Sequence, residues 1–420
     1  MIRPGKPAIL VGMAMEMRWV GEQELDRVAQ TRWMCYAHAG KELERYRERI
    51  RADPRSGPGD YLLAERDGAA VGTATSLPLT MWARGSPLSC QGVAWVGTIK
   101  TERRRGGEAG VASAVMREIL RMARQRRYVL SALMPFRVSF YEHFGYGLVE
   151  RRAEWTIPLS TLAPGDCAGW RFITEQDRPA LAAQWQRAVE AGQCDVERSE
   201  RRWDHRLLDE AEGMTFVDRP GQADAVRASA FITQENVNGR NILKVQEWSA
   251  ESPENFRGLL NFLGTMRDQF STASIVAPVD WPVNRLLREA QVPHRPVDHP
   301  TAEVRWHTRT QLRILDHAKF LESLRLPQTA KGRASVGVTE SEGEISRFSV
   351  EMESGRARVS AAAGEVDFEC LDRHWAAIAT GDLPATQAVE LGLAKARTAA
   401  ASSLLDALSA GPAPFCREYF

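Results

Sequence analysis

Val93-Ala94-Trp95-Val96-Gly97-Thr98-Ile99, followed by Arg103-Arg104-Arg105-Gly106-Gly107-Glu108-Ala109-Gly110-Val111-Ala112, is the stretch on which the fold turns. Gln91 to Ile99 is an apolar run with Val93, Trp95, Gly97 and Ile99 on one face, which predicts a strand. Arg103 to Gly110 is a basic, glycine-rich loop. Val111 to Arg126 is apolar at Val111, Val115, Ile119, Leu120 and Met122, a helical spacing. Strand, glycine-rich turn and helix in that order suit a phosphate-bearing ligand. Glycines let the backbone approach a pyrophosphate, the free N–H groups at the helix start favour anionic oxygens, and arginines add charge-assisted hydrogen bonds. The same turn suits a plain surface loop, so on its own the stretch leaves both readings open.

Upstream, residues 22–52 read as a charged helical region, punctuated by Pro54, Gly57, Pro58 and Gly59. Tyr61–Ala64 and Ala69–Leu77 read as strands joined by an Asp67-Gly68 hairpin. Downstream, a strand at Tyr128–Met134, a short helix and a strand at Leu148–Ile157 complete a first domain, 1–159. Residues 160–166 form a linker. A second domain, 167–303, has helices at Asp177–Ala191 and Pro253–Phe270 and strands at Ala225–Gln234, Ile242–Trp248 and Thr272–Ala277. A third, 304–420, has strands at Gln311–Leu315, Arg333–Val338, Arg347–Glu353 and Arg356–Ala362 and helices at Asp367–Ile378 and Ala385–Leu408. The fold class is α+β (mixed α/β).

The 420 residues carry 55 Lys and Arg against 54 Asp and Glu, a net charge of +1. No strong field points to nucleic acid or to a polybasic membrane contact. No apolar run reaches membrane-spanning length. Met1–Met17, broken by Pro4 and Pro7, does not read as a signal peptide. The six cysteines are scattered, with neither a CxxC pair nor zinc-type His spacing. They read as reduced thiols in a cytoplasmic protein without a metal.

A second motif is Phe140-Tyr141-Glu142-His143-Phe144-Gly145-Tyr146-Gly147. Alone it reads as aromatic packing closed by a glycine turn. Its place after strand, glycine-rich turn, helix and strand resembles the GNAT acetyltransferases. The resemblance is closer to the Eis (enhanced intracellular survival) family. Three features carry it: RRRG after the strand, the tyrosine-bearing FGYG turn, and the terminus Pro414-Phe415-Cys416-Arg417-Glu418-Tyr419-Phe420, since the family typically ends in phenylalanine. The resemblance implies tandem GNAT-like domains, the second non-catalytic, then a sterol-carrier-like domain, Thr310–Leu321 leading into it. It implies acetyl-CoA as co-substrate and a homo-oligomer, a hexamer in the family. The backbone of Val96, Gly97 and Thr98 would hold the pantetheine. Arg104, Arg105, Gly106, Gly107, Glu108, Ala109, Gly110, Val111 and Ala112 would hold the pyrophosphate, with Phe136 and Arg137 also at the cofactor. The loop is a few residues longer than the family's, so Gly106 and Gly110 both qualify as the glycine nearest the pyrophosphate.

Acetylation of an alkyl amine needs a base to take its proton and an acid to meet the thiolate. The resemblance gives Tyr141 as the acid and the Phe420 carboxylate as the base. The latter would need desolvation or an intervening water, because an α-carboxylate is intrinsically acidic, with a pKa of roughly 3.5. It would alternatively attract a cationic substrate. Trp33, Tyr36, Trp82 and Phe136 are candidates for an amine pocket, or for core. Glu22 and Glu24 would attract cations or lie on a helix surface, and His143 reads as surface. The acceptors implied are polyamines, lysine side chains or aminoglycoside-like amines. Rival readings are a non-catalytic acetyl-CoA sensor and a lipid carrier. An apolar ligand stabilising the third region would mark the latter.

Overall fold

The structure is a computed structural model that describes residues 15–37, 42–104, 110–163, 165–203, 213–219, 225–288, 290–292, 294–295 and 300–420. The chain divides into two compact units. One comprises the described residues up to Pro78 with Gln91–Arg127, the other Leu79–Cys90 with Tyr128–Phe420.

In the first unit, β1 (Glu16–Val20), β2 (Tyr61–Arg66), β3 (Ala69–Ala83) and β4 (Ser86–Thr98) are neighbours in that order. The far ends of β3 and β4, from Leu79 to Cys90, belong to the second unit. Asp67 and Gly68, at φ 55° and 75°, make the turn that their sequence predicted. Helices α1 (Leu25–Tyr36) and α2 (Leu43–Arg51) set Val28, Ala29, Tyr46 and Ile50 against Val20, Tyr61 and Leu63. Helix α3 (Val111–Gln125) buries Val111, Val115, Met116, Ile119, Leu120 and Ala123, one stripe at helical period. Both long strands run further than expected. Arg84 and Gly85, at φ 47° and 72°, form a second left-handed hairpin turn that the flanking prolines, Pro78 and Pro87, obscure in the sequence.

In the second unit, β5 (Leu130–Leu133), α4 (Val138–Glu142), β6 (Gly147–Leu148) and β7 (Arg152–Pro158) follow one another. The single strand expected over Leu148–Ile157 is thus two, and β7 lies in a different sheet from β6. Next come β8 (Trp170–Phe172), α5 (Arg178–Ala191), β9 (Gln193–Val196), β10 (Met214–Asp218), β11 (Ala228–Val237), β12 (Arg240–Ala250), α6 (Pro253–Gly264), β13 (Thr272–Pro278), β14 (Glu303–His307) and β15 (Gln311–Ile314). Seven of these strands form one sheet, ordered β14-β7-β13-β12-β11-β10-β8. Its one parallel pair, β12 and β13, is in register from Ile242↔Thr272 to Val245↔Ile275 and stops there, although both strands run on. Strand β15 returns between β5 and β6, antiparallel to both.

The remainder is α7 (His317–Ser323), β16 (Gly332–Thr339), β17 (Ile345–Glu353), β18 (Arg356–Ala361), β19 (Phe368–Leu371), α8 (Asp372–Thr380), α9 (Ala385–Glu390), β20 (Ala394–Ala396) and α10 (Ala399–Leu405). Its sheet is β18-β17-β16-β19-β20. The long helix expected over Ala385–Leu408 is broken. Gly392 at φ 70° ends the first turn, and Ala394–Ala396 is captured as an edge strand on β19. The helix expected from Asp367 starts at Asp372, because Phe368–Leu371 pairs in parallel with β16. The architecture is α+β. None of the six cysteines is in a disulfide. Among the described residues no helix is long and apolar enough to cross a membrane.

Candidate active site

In the first unit the expected cofactor strand bends at Trp95, which sits at φ 56°. Its ring meets Tyr36 edge-on, centroids 5.6 Å apart. Gly97 leaves room for the end of α1, where an added Cβ would lie 2.9 Å from the Tyr36 hydroxyl and 3.0 Å from Cys35 Sγ. Gly72 does the same for the start of α3, where a Cβ would lie 2.4 Å from Val111. Arg103 ties the strand end to the helix end. Its Nε donates to the Thr98 carbonyl at 3.4 Å and its Nη2 to the Cys35 carbonyl at 3.1 Å, one of the carbonyls a helix terminus leaves unmet. Burial pushes the Cys35 thiol up to about 12, so it is not a nucleophile at neutral pH.

Helix α3 opens at Gly110 with no side-chain cap and no acidic residue in its first turn. Among the described residues, the N–H groups of Val111 and Ala112 therefore meet no competing side-chain anion. Arg104 is exposed at φ 60°, and its guanidinium has no hydrogen bond among the described residues. This donor set fits a pyrophosphate. Arg105, Gly106, Gly107, Glu108 and Ala109 lie outside the described residues. Val96 and Thr98 are half-buried and Gly97 is buried, all on β4.

The second unit separates the two tyrosines of the Phe140–Gly147 segment. Tyr146 is sealed, its hydroxyl 2.7 Å from Ser131 Oγ. Tyr141, on α4, is 5% exposed. Its hydroxyl has no hydrogen bond among the described residues, yet is not among the polar atoms sealed from solvent. Phe136, Phe140 and Tyr146 surround it edge-on, at 6.2, 5.0 and 6.3 Å. This apolar collar pushes the phenol up to about 12. Phe136 is itself 81% exposed, and Arg137 is exposed beside it. His143 is also exposed, its Nδ1 2.7 Å from the Ser139 carbonyl, as its motif position suggested.

Residues from β15 and α8, which no motif announced, hold the turn after Tyr141. Arg313 Nη1 donates to the Phe144 carbonyl at 2.8 Å, and Gln311 Nε2 to the Tyr146 carbonyl at 3.2 Å. Gly145, at φ 76°, lies where a Cβ would be 2.2 Å from Asp372, and a Cβ on Gly147 would be 1.8 Å from the Arg373 carbonyl. Glu340, Glu342 and Asp372 cluster here around Arg313, whose guanidinium lies 3.2, 2.5 and 3.9 Å from them.

The chain's last residues are tied rather than frayed. Phe415 N–H donates to the Gln193 carbonyl at 2.9 Å, Cys416 N–H to Glu150 at 3.0 Å and Arg417 N–H to Asp195 at 2.8 Å. Arg152 and Arg309 hold the Cys416 carbonyl, and Arg198 and Arg202 hold Glu418. Phe420 is 8% exposed, and no cation among the described residues pairs with its carboxylate. None of these clamp residues could be found from the sequence, because each partner is more than a hundred positions away.

Of the proposed amine-pocket aromatics, Trp33 is exposed and Trp82 donates to Glu197 at 3.2 Å beside the Trp185 cluster. Glu24 is engaged by Arg18 and Arg27. Arg32 is one that sequence reading missed. It is 1% exposed, lies over the Trp95 and Tyr61 rings at 4.6 and 5.2 Å, and donates to Thr75 Oγ1 at 2.6 Å.

Residues 16–149 match an acetyltransferase (GNAT) domain family, and residues 194–314 match a second acetyltransferase (GNAT) domain family. No curated protein matches the sequence. Among solved structures, a GCN5-related N-acetyltransferase from Anabaena variabilis is 18% identical with a TM-score of 0.81, covering 97% of this chain and 100% of that one. Eis1 from Mycobacterium abscessus is 20% identical with a TM-score of 0.78, at 97% and 100% coverage. A GCN5-related N-acetyltransferase from Kribbella flavida is 21% identical with a TM-score of 0.75, at 97% and 99%. At these identities the likeness is one of fold.

Proposed function

We propose that this chain, which carries two GNAT acetyltransferase domains, is an acetyl-CoA-dependent N-acetyltransferase of primary amines, of the Eis type. The observation that carries the reading is the contrast within Phe140–Gly147: Tyr146 is spent on Ser131, whereas Tyr141 keeps a buried ring and a hydroxyl with no hydrogen bond among the described residues. Acetyl-CoA supplies the activated acetyl group as a thioester. The strand Val96–Thr98 and the start of α3 from Gly110 to Ala112, with Arg104, are the residues to hold it. Phe136 and Arg137 are exposed where β5 leads into α4 and join them in this reading.

The amine nitrogen bonds to the acetyl carbon, the carbon–sulfur bond breaks and the ammonium gives up a proton. Tyr141, with a phenol at about 12, keeps its proton throughout the neutral range. Against a thiol near about 8.5, outright transfer runs uphill by roughly 3.5 pKa units. Tyr141 therefore acts first as a hydrogen-bond donor that stabilises charge on the departing sulfur. The proton follows as that sulfur is desolvated in the same apolar collar. Phe420, held by the clamp on Cys416 and Glu418, offers its carboxylate as the base for the ammonium proton. No cation among the described residues pairs with that carboxylate, which supports this role. The sterol-carrier-like character of the C-terminal sheet and the hexamer belong to the same proposal and rest on the family resemblance, and the cytoplasmic location belongs to it and rests on the scattered cysteines.

The test is release of free CoA from acetyl-CoA with a panel of polyamines, lysine peptides and aminoglycosides. Turnover with at least one amine is expected. Acetyl-CoA binding without turnover on any of them sinks the enzymatic reading, and absence of binding sinks the co-substrate.

A further inference from the structure

Where β12 and β13 stop pairing, the second unit has a cavity of about 290 Å³. Arg152, Lys244, His307, Arg309 and Arg417 line it, with Glu154 and Glu247 opposite them. Most of these charges are met from outside the wall. Arg305 holds Glu154 and Arg198 holds Glu247, while Glu150 pairs with Arg152, Glu235 with Lys244 and Asp195 with Arg417. Arg309 is the exception. Its Nη2 reaches only carbonyl oxygens, those of Cys416, Arg417 and Glu418, and no carboxylate lies within ion-pair distance among the described residues.

Three nitrogens of this wall are sealed from solvent with no partner: Arg309 Nε, Arg417 Nε and His307 Nδ1. Buried N–H groups are nearly always satisfied, so the orphaned guanidinium N–H groups of Arg309 and Arg417 call for an acceptor, and a small rotation of either side chain, or of the His307 ring in its Nδ1–H tautomer, brings a donor to the cavity surface. Trp185, Trp248 and Phe415 supply apolar wall beside them, the usual partner of a few converging polar groups in a small-molecule site.

We propose that this cavity binds the oxyanion group, phosphate or carboxylate, of a small molecule, with Arg309, Arg417 and His307 as its donors. A guanidinium without a carboxylate partner gains a charge-assisted hydrogen bond from such a ligand. The site shares Arg309 with the clamp on the Cys416 carbonyl, and Arg417 is itself a residue of the C-terminal segment. An anion bound there therefore fastens residues 415–418 in place.

The test is calorimetric titration of the full chain with inorganic phosphate and, separately, citrate. Saturating CoA is present, so that the phosphate-holding start of α3 is already filled. One saturable event is expected, weakened about tenfold or more by Arg309→Met and by His307→Leu. His307 makes no hydrogen bond or ion pair with the C-terminal segment among the described residues, so His307→Leu carries the test should Arg309→Met fail to fold. Binding of phosphate alone assigns a phosphoryl ligand, and binding of citrate alone a carboxylate ligand. No saturable binding by either anion overturns the proposal. So does affinity retained within about twofold in every folded variant.

Discussion

Arg198 and Glu418, 220 positions apart, make two hydrogen bonds of 2.9 and 2.6 Å with both side chains 2% exposed. The guanidinium also lies over the rings of Trp185 and Trp203, at 4.0 and 4.5 Å, and the other Glu418 oxygen accepts from Arg202 at 2.7 Å. A pair this enclosed is an anchor for the chain end. Removing one partner leaves a charge in low dielectric. We expect Glu418→Gln to cost about 3–5 kcal/mol of stability, read as a lower urea midpoint at unchanged m. The variant should also lose acetyltransferase turnover at temperatures where it is still folded. A folded variant with full turnover would separate the anchored terminus from catalysis.

The two tyrosines of the Phe140–Gly147 segment should behave differently. Tyr141→Phe removes a hydroxyl that has no hydrogen bond among the described residues, so stability should stay within about 0.5 kcal/mol while kcat falls about 10²–10⁴-fold. Tyr146→Phe removes the buried hydroxyl bonded to Ser131 at 2.7 Å and should cost about 1–3 kcal/mol with a smaller change in rate. Steady-state kinetics with denaturation curves on both variants check this. Full activity in Tyr141→Phe would remove the acid from the mechanism.

The sequence supplied the strand–turn–helix order of the first unit because each piece is a local signal: alternation over Gln91–Ile99, glycines at the turn, helical spacing after Val111. Tyr141 follows from the family resemblance and not from a local signal. The sequence did not reveal the Trp95 bend, since a tryptophan at positive φ has no local signature, nor the Arg84-Gly85 turn. Ala394–Ala396 reads as helix and becomes a strand because β19 offers it an unpaired edge. The residues that hold the site (Arg313, Asp372, Arg198, Arg309) are set by tertiary contacts, and single-chain periodicity carries no trace of those.

The FGYG glycines make a sharper case. Gly147 would place a Cβ 1.8 Å from the Arg373 carbonyl, a backbone atom that cannot rotate away. Gly68, at φ 75°, has nothing within 4 Å of its Cβ. Gly68→Ala should cost only its left-handed strain, about 1–2 kcal/mol. Gly147→Ala should cost more than about 3 kcal/mol, since α8 and the turn must separate. Comparative thermal denaturation of the two variants decides it. Equal losses would show that α8 yields easily.

Arg32 is expected to oppose folding through its charge. Burial pulls its guanidinium down to about 10 from an ordinary 12.5. A cation with a lower pKa in the folded state binds its proton less tightly there. The opposition is therefore complete below about pH 10 and fades as pH rises towards 12.5, so stability gains with pH across that window. At neutral pH the shift corresponds to about 3 kcal/mol, offset in part by the Trp95 and Tyr61 faces and by the bond to Thr75. Arg32→Met keeps the length and the packing and removes the charge. It should leave stability at pH 7 unchanged or raise it, by up to about 3 kcal/mol. Urea unfolding at pH 7 is the measurement. A loss of more than about 2 kcal/mol would mean that the two aromatic faces outweigh desolvation.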